Sequence, residues 1–588
     1  MSDDEIAGIV IEIDDDVKST SSFQEDLVEV EMSNSSINES QTDELSYRPE
    51  EISLHSRRKS HKTPSDESFL EITKNVNDPD LVSKIENLRG KVSQREDRLR
   101  KHYLHTSQDV KFLSRFNDIK FKSNSATILD SDAFYKSEHF GVLTIFWVVI
   151  GLYIMSTLSD MYFGMAKPLS DWIIIGMFKK DLMQVALVDL VMYLSSYFPY
   201  FLQVACKTGA ISWHGLGWAI QGVYSLVFLT FWAVLPSESA MDLPWIARVF
   251  LILHCLVFIM KMQSYGHYNG YLWDVYQEGL VSEADLTAVS EYDDDFPSDH
   301  GEVLEQSLWF AKHELEFQSN GTTERKDHHH HVFDEKDVNK PMRVLQEEGI
   351  IKFPANINFK DYFEYSMFPT LVYTLNFPRI RHIRWAYVLQ KVLGTFALVF
   401  AMIIVAEESF CPLMQEVEQY TRLPTNQRFS KYFVVLSHLI LPLGKQYLLS
   451  FILIWNEILN GIAELSRFGD RHFYGAWWSS VDYMDYSRKW NTIVHRFLRR
   501  HVYNSTIRIL GISRTQAAII TLLLSATIHE LVMYILFGKL RGYLFLTMLV
   551  QIPMTVTAKF NNRLWGNIMF WLTYLSGPSL VSALYLLF

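Results

Sequence analysis

A histidine inside an apolar helix is the residue of this chain best suited to chemistry. His529 lies about two thirds of the way along an apolar run that ends near residue 537. An ionisable group at membrane depth is unfavourable unless it faces a cavity or a partner, so it marks a functional site by default. Histidine is also the usual general base near neutral pH. His529 is therefore a candidate base, and a histidine bonded only to a neighbouring helix is the open alternative.

Two residues near His529 belong to the same candidate site or to its support. Glu530 follows directly, and a helical neighbour at i+1 points about 100° away, so we expect a supporting role at most. Ser525 lies four residues before His529 on the same helical face, where it can line the same cavity. A serine bonded to the preceding helical turn is the alternative for Ser525.

A second segment, from residue 468 to 503, combines aromatic and basic side chains. It is too charged to span a membrane, and its aromatic rings suit the depth of lipid headgroups. Its arginine and lysine side chains are suited to the phosphates of a large anionic cofactor such as coenzyme A. A segment that only anchors the chain to the membrane surface remains the alternative.

Long apolar runs must position these residues. About 20 apolar residues form a helix that crosses a hydrocarbon layer roughly 30 Å thick. By this criterion the sequence predicts an all-α, multi-pass transmembrane helical bundle of about nine spans. The predicted spans are 140–158, 184–205, 215–236, 243–262, 386–405, 433–455, 515–537, 543–558 and 564–588.

Basic residues in short loops indicate which side of the membrane each loop faces. With the N-terminal arm in the cytosol, nine spans put the basic residues at 379–384 and 488–500 in the cytosol, as this rule requires. Lys539 and Arg541 fall on the opposite side. We expect these two side chains to snorkel or to face a polar cavity.

Composition separates a polar arm from the membrane part. Residues 1–135 are rich in acidic residues, serine and basic residues and have few aromatic rings, so the sequence predicts a disordered cytosolic arm followed by a transmembrane domain at 136–588. The formal net charge of −13 arises mostly in this arm and around residue 294, and it gives no indication of nucleic-acid binding.

A long polar segment at 263–360 is expected to form a cytosolic loop. It contains four adjacent histidines, 328–331, which are capable of binding a metal but have no second ligand group at a suitable spacing, so a flexible insert is the favoured interpretation. The chain has three cysteines and no CxxC pair. The sequence therefore predicts no metal site and no disulfide framework.

Several motifs occur in a distinctive order. Phe473-Tyr474-x-x-Trp477-Trp478 is followed by Trp490-Asn491, by His495, and then by His529-Glu530 in an apolar helix. This order resembles the sterol O-acyltransferase branch of the membrane-bound O-acyltransferases, with fungal character. Further matching segments are 260–265, 268–273, 368–373 and 377–379, so the resemblance covers roughly residues 140–588.

The resemblance implies roles for individual residues. His529 corresponds to the catalytic histidine, Asn491 to its partner, and Trp490 lies beside them in the reaction chamber. The other candidate substrate-binding residues are Ser525, Tyr503, Phe473, Tyr474, Trp477, Trp478, Arg488, His495 and Arg514. Ala476 and Ser479 stand where the family usually has Asp and Asn, and Gln263 stands where it has His. These departures affect contacts to acyl-CoA or the ordering of the loop.

The reaction implied is attack of a lipid hydroxyl on a thioester. His529 would remove the hydroxyl proton, and Asn491 would donate a hydrogen bond to the thioester carbonyl or orient the reactants. No cysteine or Ser-His-Asp arrangement is evident for a covalent intermediate, so direct attack is favoured. The resemblance further implies a protein of the endoplasmic reticulum membrane. It implies acyl-CoA as co-substrate and no permanently bound cofactor. The implied partners are a sterol, membrane lipids and further copies of the chain, which assemble as a homodimer or homotetramer.

Three other functions stay open at this point. The same machinery could acylate diacylglycerol to triacylglycerol. A transporter with His529 as a proton relay would require inverted repeats, which the sequence does not show. A non-catalytic sterol- or acyl-CoA-binding membrane protein is suggested by Ala476, Ser479 and Gln263, although His529 and Asn491 are intact.

Overall fold

The chain is mostly helical in the part that its structure describes. The computed structural model describes residues 114–290, 298–320, 350–557 and 563–588, apart from 117, 120, 122–123 and 238–239, and also 103–105 and 110–112. Two strands, Tyr103–His105 and Val110–Phe112, form a two-stranded sheet. The predicted all-α class is confirmed, with this small sheet as an addition.

Nineteen α-helices lie in the described residues. They are Asp132–Tyr135, Phe140–Tyr162, Ile173–Lys179, Leu182–Ser195, Phe198–Lys207, Trp218–Val234, Trp245–Ser290, Ser298–Asn320, Phe359–Met367, Trp385–Val405, Cys411–Thr421, Thr425–Phe451, Leu459–Leu465, Tyr483–Trp490, Thr492–Phe497, Asn504–Leu510, Arg514–Phe537, Tyr543–Thr557 and Arg563–Leu587. Short 3₁₀ turns occur at Ile128–Asp130, Leu169–Asp171 and Trp477–Ser479. Wider π turns occur at Trp213–Gly217, Ala406–Phe410, Ile452–Ile458 and Leu498–Tyr503, where they join successive helices.

Eight helical stretches of the described chain are long and apolar enough to cross a membrane. They are Phe140–Tyr162, Leu182–Lys207, Trp213–Val234, Trp245–Thr287, Trp385–Thr421, Thr425–Leu465, Arg514–Phe537 and Arg563–Leu587. These match eight of the nine predicted spans. The remaining prediction, 543–558, coincides with the helix Tyr543–Thr557 of 15 residues. The residues that follow Thr557, 558–562, lie outside the described part, so the ninth span stays a prediction.

Much of the segment expected to be a polar loop is helical. The fourth span continues without a break to Ser290, and a further helix covers Ser298–Asn320. Tyr268, Tyr271 and other aromatic residues after position 262 are buried, so packing rather than lipid stabilises this extension. The four histidines 328–331 lie outside the described residues.

Part of the segment assigned to the disordered arm is packed against the membrane part. Ser114 Oγ donates to Glu314 Oε1 at 2.8 Å, and Asp118 pairs with Arg500 at 2.9 Å. Thr127 Oγ1 donates to Asn456 Oδ1 at 2.9 Å. The packed region therefore begins before the predicted boundary at residue 135, because buried polar partners compensate for its low apolar content. Residues 1–102 lie outside the described part.

The chain divides into two compact units. The smaller one contains, of the described residues, Tyr103, 281–290, 298–308 and 513–516. The larger one contains 104–280, 309–512 and 517–588. His529, Asn491 and the residues that contact them lie within the larger unit.

One apolar cluster of the larger unit connects the helix of His529 to earlier spans. It includes Val188, Phe228, Ile252 and Phe258, and Ile535 joins it from the helix Arg514–Phe537. Close packing between Gly270 and Trp213 requires glycine at position 270, because an added Cβ would lie 2.0 Å from the indole. Helix packing therefore fixes one position of the segment 268–273, which is among those that carry the family resemblance.

Candidate active site

His529 is held in a single tautomer by its own helix. Its Nδ1 lies 2.8 Å from the backbone oxygen of Ser525, one turn earlier. A carbonyl oxygen only accepts, so Nδ1 carries the hydrogen and donates it. In the neutral imidazole Nε2 then has a free lone pair, and the side chain is exposed rather than packed. The arrangement presents Nε2 as a proton acceptor, as a general base requires.

Ser525 contributes to this arrangement through its main chain. Its carbonyl fixes the imidazole of His529, whereas its hydroxyl makes no hydrogen bond within the described residues. The structure therefore does not show the alternative, in which the Ser525 hydroxyl bonds the preceding helical turn. Ser525 orients the candidate base, and contact of its hydroxyl with substrate stays a prediction.

Glu530 is turned away from His529 and serves the fold. Its carboxylate accepts hydrogen bonds from the backbone N–H groups of Gly542 at 2.6 Å and Phe545 at 3.1 Å. It also accepts from the hydroxyl of Tyr585 at 2.7 Å. Glu530 is 5% exposed. It thus caps the helix Tyr543–Thr557 and connects it to the last helix.

Asn491 lies at the junction of two short helices, Tyr483–Trp490 and Thr492–Phe497. Its Oδ1 accepts a hydrogen bond from the backbone N–H of Val494 at 3.1 Å, so Asn491 is the N-cap of the second helix. This bond fixes the orientation of the amide. The Nδ2 group, which carries two hydrogens, has no partner among the described residues and stays available as a donor.

Trp490 precedes Asn491 and is surrounded by other rings. Its ring centroid lies 5.0 Å from Phe451, 5.1 Å from Trp455 and 4.9 Å from Trp477. Tyr486 lies at 5.5 Å. Ring pairs at these separations stabilise by about 0.5–1.5 kcal/mol each beyond burial. The cluster fixes Trp490, and therefore the backbone position of Asn491.

The loop 468–480, named here the tryptophan loop, is bonded to the residues on both sides of Asn491. The backbone oxygen of Phe473 accepts from Thr492 N–H at 3.1 Å, and Thr492 Oγ1 donates to the oxygen of His472. Gly475 N–H donates to the oxygen of Lys489 at 2.7 Å. A Cβ at Gly475 would lie 3.1 Å from the Lys489 side chain, so glycine permits this approach.

The side chains of the tryptophan loop point largely into the protein. Phe473, Tyr474 and Trp477 are buried. The hydroxyl of Tyr474 donates to Asn456 Oδ1 at 3.0 Å, and the Trp477 ring packs 5.0 Å from Phe451. The structure therefore gives these three residues a supporting position beneath Trp490 and Asn491, and their contact with a substrate stays a prediction.

The polar groups missing at Ala476 and Ser479 do not leave the loop unsupported. The backbone oxygen of Trp478 accepts from Asn567 Nδ2 at 3.0 Å and from Trp571 Nε1 at 3.1 Å. Trp478 itself is only partly buried. Asn567 and Trp571 belong to the last helix and were missed by sequence reasoning, because nothing in their spacing shows which loop they contact.

Gln263, the third departure, also has a defined partner. Its Nε2 donates to Ser225 Oγ of the neighbouring span at 2.7 Å. The adjacent Ser264 bonds His501 Nε2 at 2.8 Å and accepts from the backbone N–H of Tyr373. Burial, with help from the charge of Arg500, holds the pKa of His501 well below its usual range. A neutral His501 accepts from Ser264, whose complete burial excludes it as an exposed nucleophile.

Four further candidate substrate-binding residues follow the tryptophan loop in the sequence. Arg488 is partly buried, with Nη2 3.4 Å from Met484 Sδ. His495 lies one turn after Asn491, and its N–H donates to the Asn491 oxygen at 3.0 Å. Tyr503 ends the π turn Leu498–Tyr503. The exposed Arg514 is the first residue of the His529 helix and belongs to the smaller unit.

No group of three or more potential metal ligands occurs among the residues that the structure describes. The three cysteines, Cys206, Cys255 and Cys411, are free thiols. The described residues therefore offer for chemistry the acceptor nitrogen of His529 and, in its own surroundings, the donor amide of Asn491 with the aromatic support of Trp490.

Comparison with known proteins identifies the sequences that share this organisation. The profile of MBOAT, the membrane-bound O-acyltransferase family, matches residues 174–587. Sterol O-acyltransferase 2 of Candida albicans is 49% identical over 493 residues, which cover 82% of this chain and 81% of that protein. Sterol O-acyltransferase 2 of Saccharomyces cerevisiae is 36% identical over 476 residues, 79% of this chain and 69% of that protein. Diacylglycerol O-acyltransferase 1 of Chlorocebus aethiops is 30% identical over 236 residues, 40% of this chain and 47% of that protein.

Proposed function

Because the chain belongs to the membrane-bound O-acyltransferase family, we propose that it transfers a long-chain fatty acyl group from acyl-CoA to the 3-hydroxyl of a membrane sterol. The observation that carries this proposal is the fixed His529 imidazole with a free Nε2, next to an apolar environment. Similarity to fungal sterol O-acyltransferases over four fifths of the chain supports a sterol as the acyl acceptor. The similarity to a diacylglycerol O-acyltransferase covers only 40% of the chain.

His529 acts as the general base in this proposal. Nε2 accepts the hydroxyl proton as the sterol oxygen attacks the thioester carbon, and the protonated imidazole passes that proton to the leaving thiolate of coenzyme A. One ester bond forms, one thioester bond breaks, and the proton ends on the thiol. General base catalysis of this kind contributes about 10²–10⁴-fold.

Asn491 stabilises the charge that develops on the thioester oxygen. Its Oδ1 is engaged as a helix cap, so the amide directs Nδ2–H away from that helix. A donor that is already oriented needs no reorganisation during the reaction, and loss of one such donor costs about 2.7–4 kcal/mol. The aromatic cluster around Trp490 supplies the rigidity that this role requires.

The head of acyl-CoA is soluble in water, whereas the sterol is soluble in the bilayer. The proposed site therefore receives the two substrates from different sides. Acyl-CoA approaches with its phosphates towards the polar segment that contains Arg488, His495 and Tyr503. The sterol arrives from the bilayer. The steryl ester has lost its hydroxyl and partitions into the membrane interior for storage.

The chain is an integral membrane protein with at least eight apolar helices of spanning length among its described residues. We place it in the endoplasmic reticulum membrane with the N-terminal arm in the cytosol, in agreement with the basic loops at 379–384 and 488–500. Assembly as a homodimer or homotetramer is part of the same proposal.

The experiment that tests this function uses cells that lack both steryl ester and triacylglycerol synthesis. Wild type, His529→Ala and the control His438→Ala are expressed, labelled oleate is supplied, and the neutral lipids are separated. His438 is an exposed histidine on the span Thr425–Leu465 and is not a candidate site residue. We expect label in steryl ester with wild type and His438→Ala, and a loss of about 100-fold or more with His529→Ala.

Each other outcome identifies a different function. Label in triacylglycerol would assign the chain to diacylglycerol acylation. Label in neither lipid, with normal expression and with acyl-CoA or sterol binding retained, would indicate a non-catalytic binding protein. Unchanged steryl ester in His529→Ala would reject His529 as the base.

A further inference from the structure

A second histidine at membrane depth is paired with a carboxylate. His254 Nδ1 lies 2.6 Å from Asp189 Oδ1. The two residues belong to different spans, Trp245–Thr287 and Leu182–Lys207. Ionisable residues in spans are rare and mark functional sites by default. The proposed reaction uses neither residue.

The pair is accessible rather than sealed within the core. The side chain of His254 is 34% exposed and that of Asp189 is 24% exposed. Beyond their mutual bond, His254 Nε2 and Asp189 Oδ2 have no hydrogen-bond partner among the described residues. A polar atom facing hydrocarbon without a partner is unfavourable, so a ligand that supplies hydrogen bonds would stabilise this arrangement.

The surroundings of the pair are apolar and partly open. Phe250, one turn before His254, is 47% exposed, and its ring lies 5.6 Å from the imidazole. Leu253 and Leu190, next to the two polar residues in sequence, are also exposed. The buried Phe258 ring lies 4.2 Å from the imidazole on the inner side. Two polar atoms with apolar surfaces around them match an apolar molecule with one polar group.

The hydrogen-bonding capacity of the pair selects a hydroxyl. Asp189 accepts, and His254 Nε2 accepts when the imidazole is neutral and donates when it is protonated. A hydroxyl both donates and accepts. It donates to one acceptor of the pair when the imidazole is neutral, and it accepts from Nε2–H while donating to Asp189 Oδ2 when the imidazole is protonated, so it bonds the pair in either state. An ester has no donor and cannot bond the carboxylate. The pair therefore distinguishes an alcohol from its acylated product.

The pair and His529 also lie at similar distances from the ends of their helices. At about 1.5 Å per residue, Asp189 is roughly 11 Å from the start of its span, His254 roughly 14 Å from the start of its own, and His529 roughly 12 Å from the end of its helix. Val188, Ile252 and Cys255, which flank the pair in sequence, pack in one apolar cluster with Ile535, while Leu531 and Val532 pack against it. The helix of the candidate base thus adjoins the helices of the pair.

From these observations we propose that Asp189 and His254 form a recognition site that the hydroxyl group of the membrane alcohol occupies before the alcohol moves to His529 to be acylated. This inference rests on the proposed function, in which the same alcohol is acylated at His529. The pair acts in binding and in substrate selection, and it does not touch the thioester.

Kinetics of the purified full-length protein in nanodiscs test this role. The variants are Asp189→Asn, which keeps the shape of the side chain, and His254→Ala. The control is Thr230→Val, which removes an exposed hydroxyl bonded only within its own helix on a neighbouring span. We expect both pair variants to raise KM for the sterol about tenfold, the factor that corresponds to loss of a hydrogen bond to a charged group. The kcat and the KM for acyl-CoA stay within twofold of wild type.

A purely structural pair would give a different result. Lower melting temperatures with an unchanged sterol KM, or a sterol KM shift no larger than in Thr230→Val, would overturn the proposal. A fall in kcat without a change in the sterol KM would overturn it as well, because a binding residue acts before the chemical step.

Labelling of the wild-type protein decides the question even if the variants do not fold. A photoreactive sterol is expected to label peptides that contain Asp189 or His254, with competition from free sterol and none from the steryl acetate. Competition by diacylglycerol in place of sterol would identify the alcohol as a glyceride. Absence of label on these peptides would refute the site. Labelling should persist in His529→Ala, so that failure of the proposed function and failure of this inference give distinct results.

Discussion

Asn491 combines a structural and a chemical task in one side chain. Its oxygen caps the helix Thr492–Phe497 through Val494 N–H, while its nitrogen is free to donate. These two functions belong to different atoms, so substitutions can separate them. Aspartate and serine are both good N-cap residues, and neither has an amide donor.

We predict that Asn491→Asp lowers kcat by about 100-fold or more and changes the melting temperature little. The helix cap is kept, but the donor to the thioester oxygen is lost. The matched control is Asn358→Asp at the N-cap of Phe359–Met367, where Asn358 Oδ1 accepts from Asp361 N–H at 2.9 Å. Turnover of purified protein and thermal melting are measured together. Normal kcat in both Asn491→Asp and Asn491→Ser would argue against the donor role.

At the scale of elements, the C-terminal helices are connected through one carboxylate. Glu530 receives hydrogen bonds from the helix Tyr543–Thr557 and from Tyr585 of the last helix. The connecting turn has glycines at positive φ at both ends, Gly538 and Gly542, where other residues would be strained. This turn and the carboxylate together determine how the chain reverses after the His529 helix.

We expect Glu530→Gln to destabilise the protein by about 1–3 kcal/mol, because one carboxylate oxygen becomes an amide nitrogen that faces donors. Tyr585→Phe should destabilise it as well, and the double variant should cost less than the sum because the two residues share one bond. Melting temperature is the readout. The kcat per folded molecule should stay within a few fold. Loss of kcat with unchanged melting would instead give Glu530 a role in the chemistry.

The tryptophan loop is the second element that determines the site. It contacts the flanks of Asn491 through main-chain hydrogen bonds at His472, Phe473 and Gly475. Main-chain bonds do not depend on side-chain identity. This explains how the loop keeps its position with Ala476 and Ser479 in place of the family's polar residues.

At the scale of the whole molecule, residues 114–121 hold distant parts of the chain together. Asp118 pairs with the buried Arg500 at 2.9 Å and accepts from Asn504 Nδ2 at 3.0 Å. Arg500 also donates to the backbone oxygen of Tyr373 at 3.2 Å. Asp118, which precedes the first span, thus neutralises the charge of Arg500, which follows Asn491 in the sequence.

We predict that Asp118→Asn destabilises the protein by about 3–5 kcal/mol, because Arg500 is left buried without its counter-charge. The control is Glu418→Gln, which breaks an exposed pair with Arg422 at 2.8 Å and should change stability by no more than about 0.5 kcal/mol. Thermal and denaturant unfolding in detergent measure both. Equal effects of the two substitutions would contradict the importance of burial.

A buried carboxyl makes the stability of the molecule depend on pH. Asp361 lies outside the spans and accepts from Tyr373, and burial raises its pKa from 3.8 to about 7. The folded state therefore binds this proton more tightly than the unfolded state. The contribution of Asp361 is most favourable below about pH 4 and is lost as pH rises through 7.

We expect Asp361→Asn to gain stability relative to wild type as pH rises from about 4 to 7, by up to roughly 4 kcal/mol. Melting temperatures of both proteins at pH 5, 6, 7 and 8 give the difference curve. The exposed Asp171 provides the control, and the difference curve of Asp171→Asn serves as the baseline. A flat curve for Asp361→Asn would mean that the carboxyl ionises normally in the fold.

Sequence reasoning was sufficient for features that depend on local composition. Eight of the nine predicted spans correspond to apolar helices of spanning length, because the length of an apolar run is a property of the run itself. The helical extension to Ser290 was not predicted, because its aromatic residues are stabilised by distant partners such as Gln318, which accepts from Tyr268. The ninth span, 543–558, stays a prediction, because the residues that follow Thr557 lie outside the described part.

By itself the sequence determined the class of the protein, the family motifs and the residues proposed for catalysis, since apolar run length and motif order are one-dimensional properties. Only the tertiary structure decided the free nitrogen of His529, the structural role of Glu530, the support of Asn491 by the tryptophan loop and the pairing of Asp189 with His254. Each of these depends on hydrogen bonds whose direction is set by geometry, and most of them join residues far apart in the chain. Hydrogen-bond partners and tautomers follow from distance and orientation, which residue order does not specify.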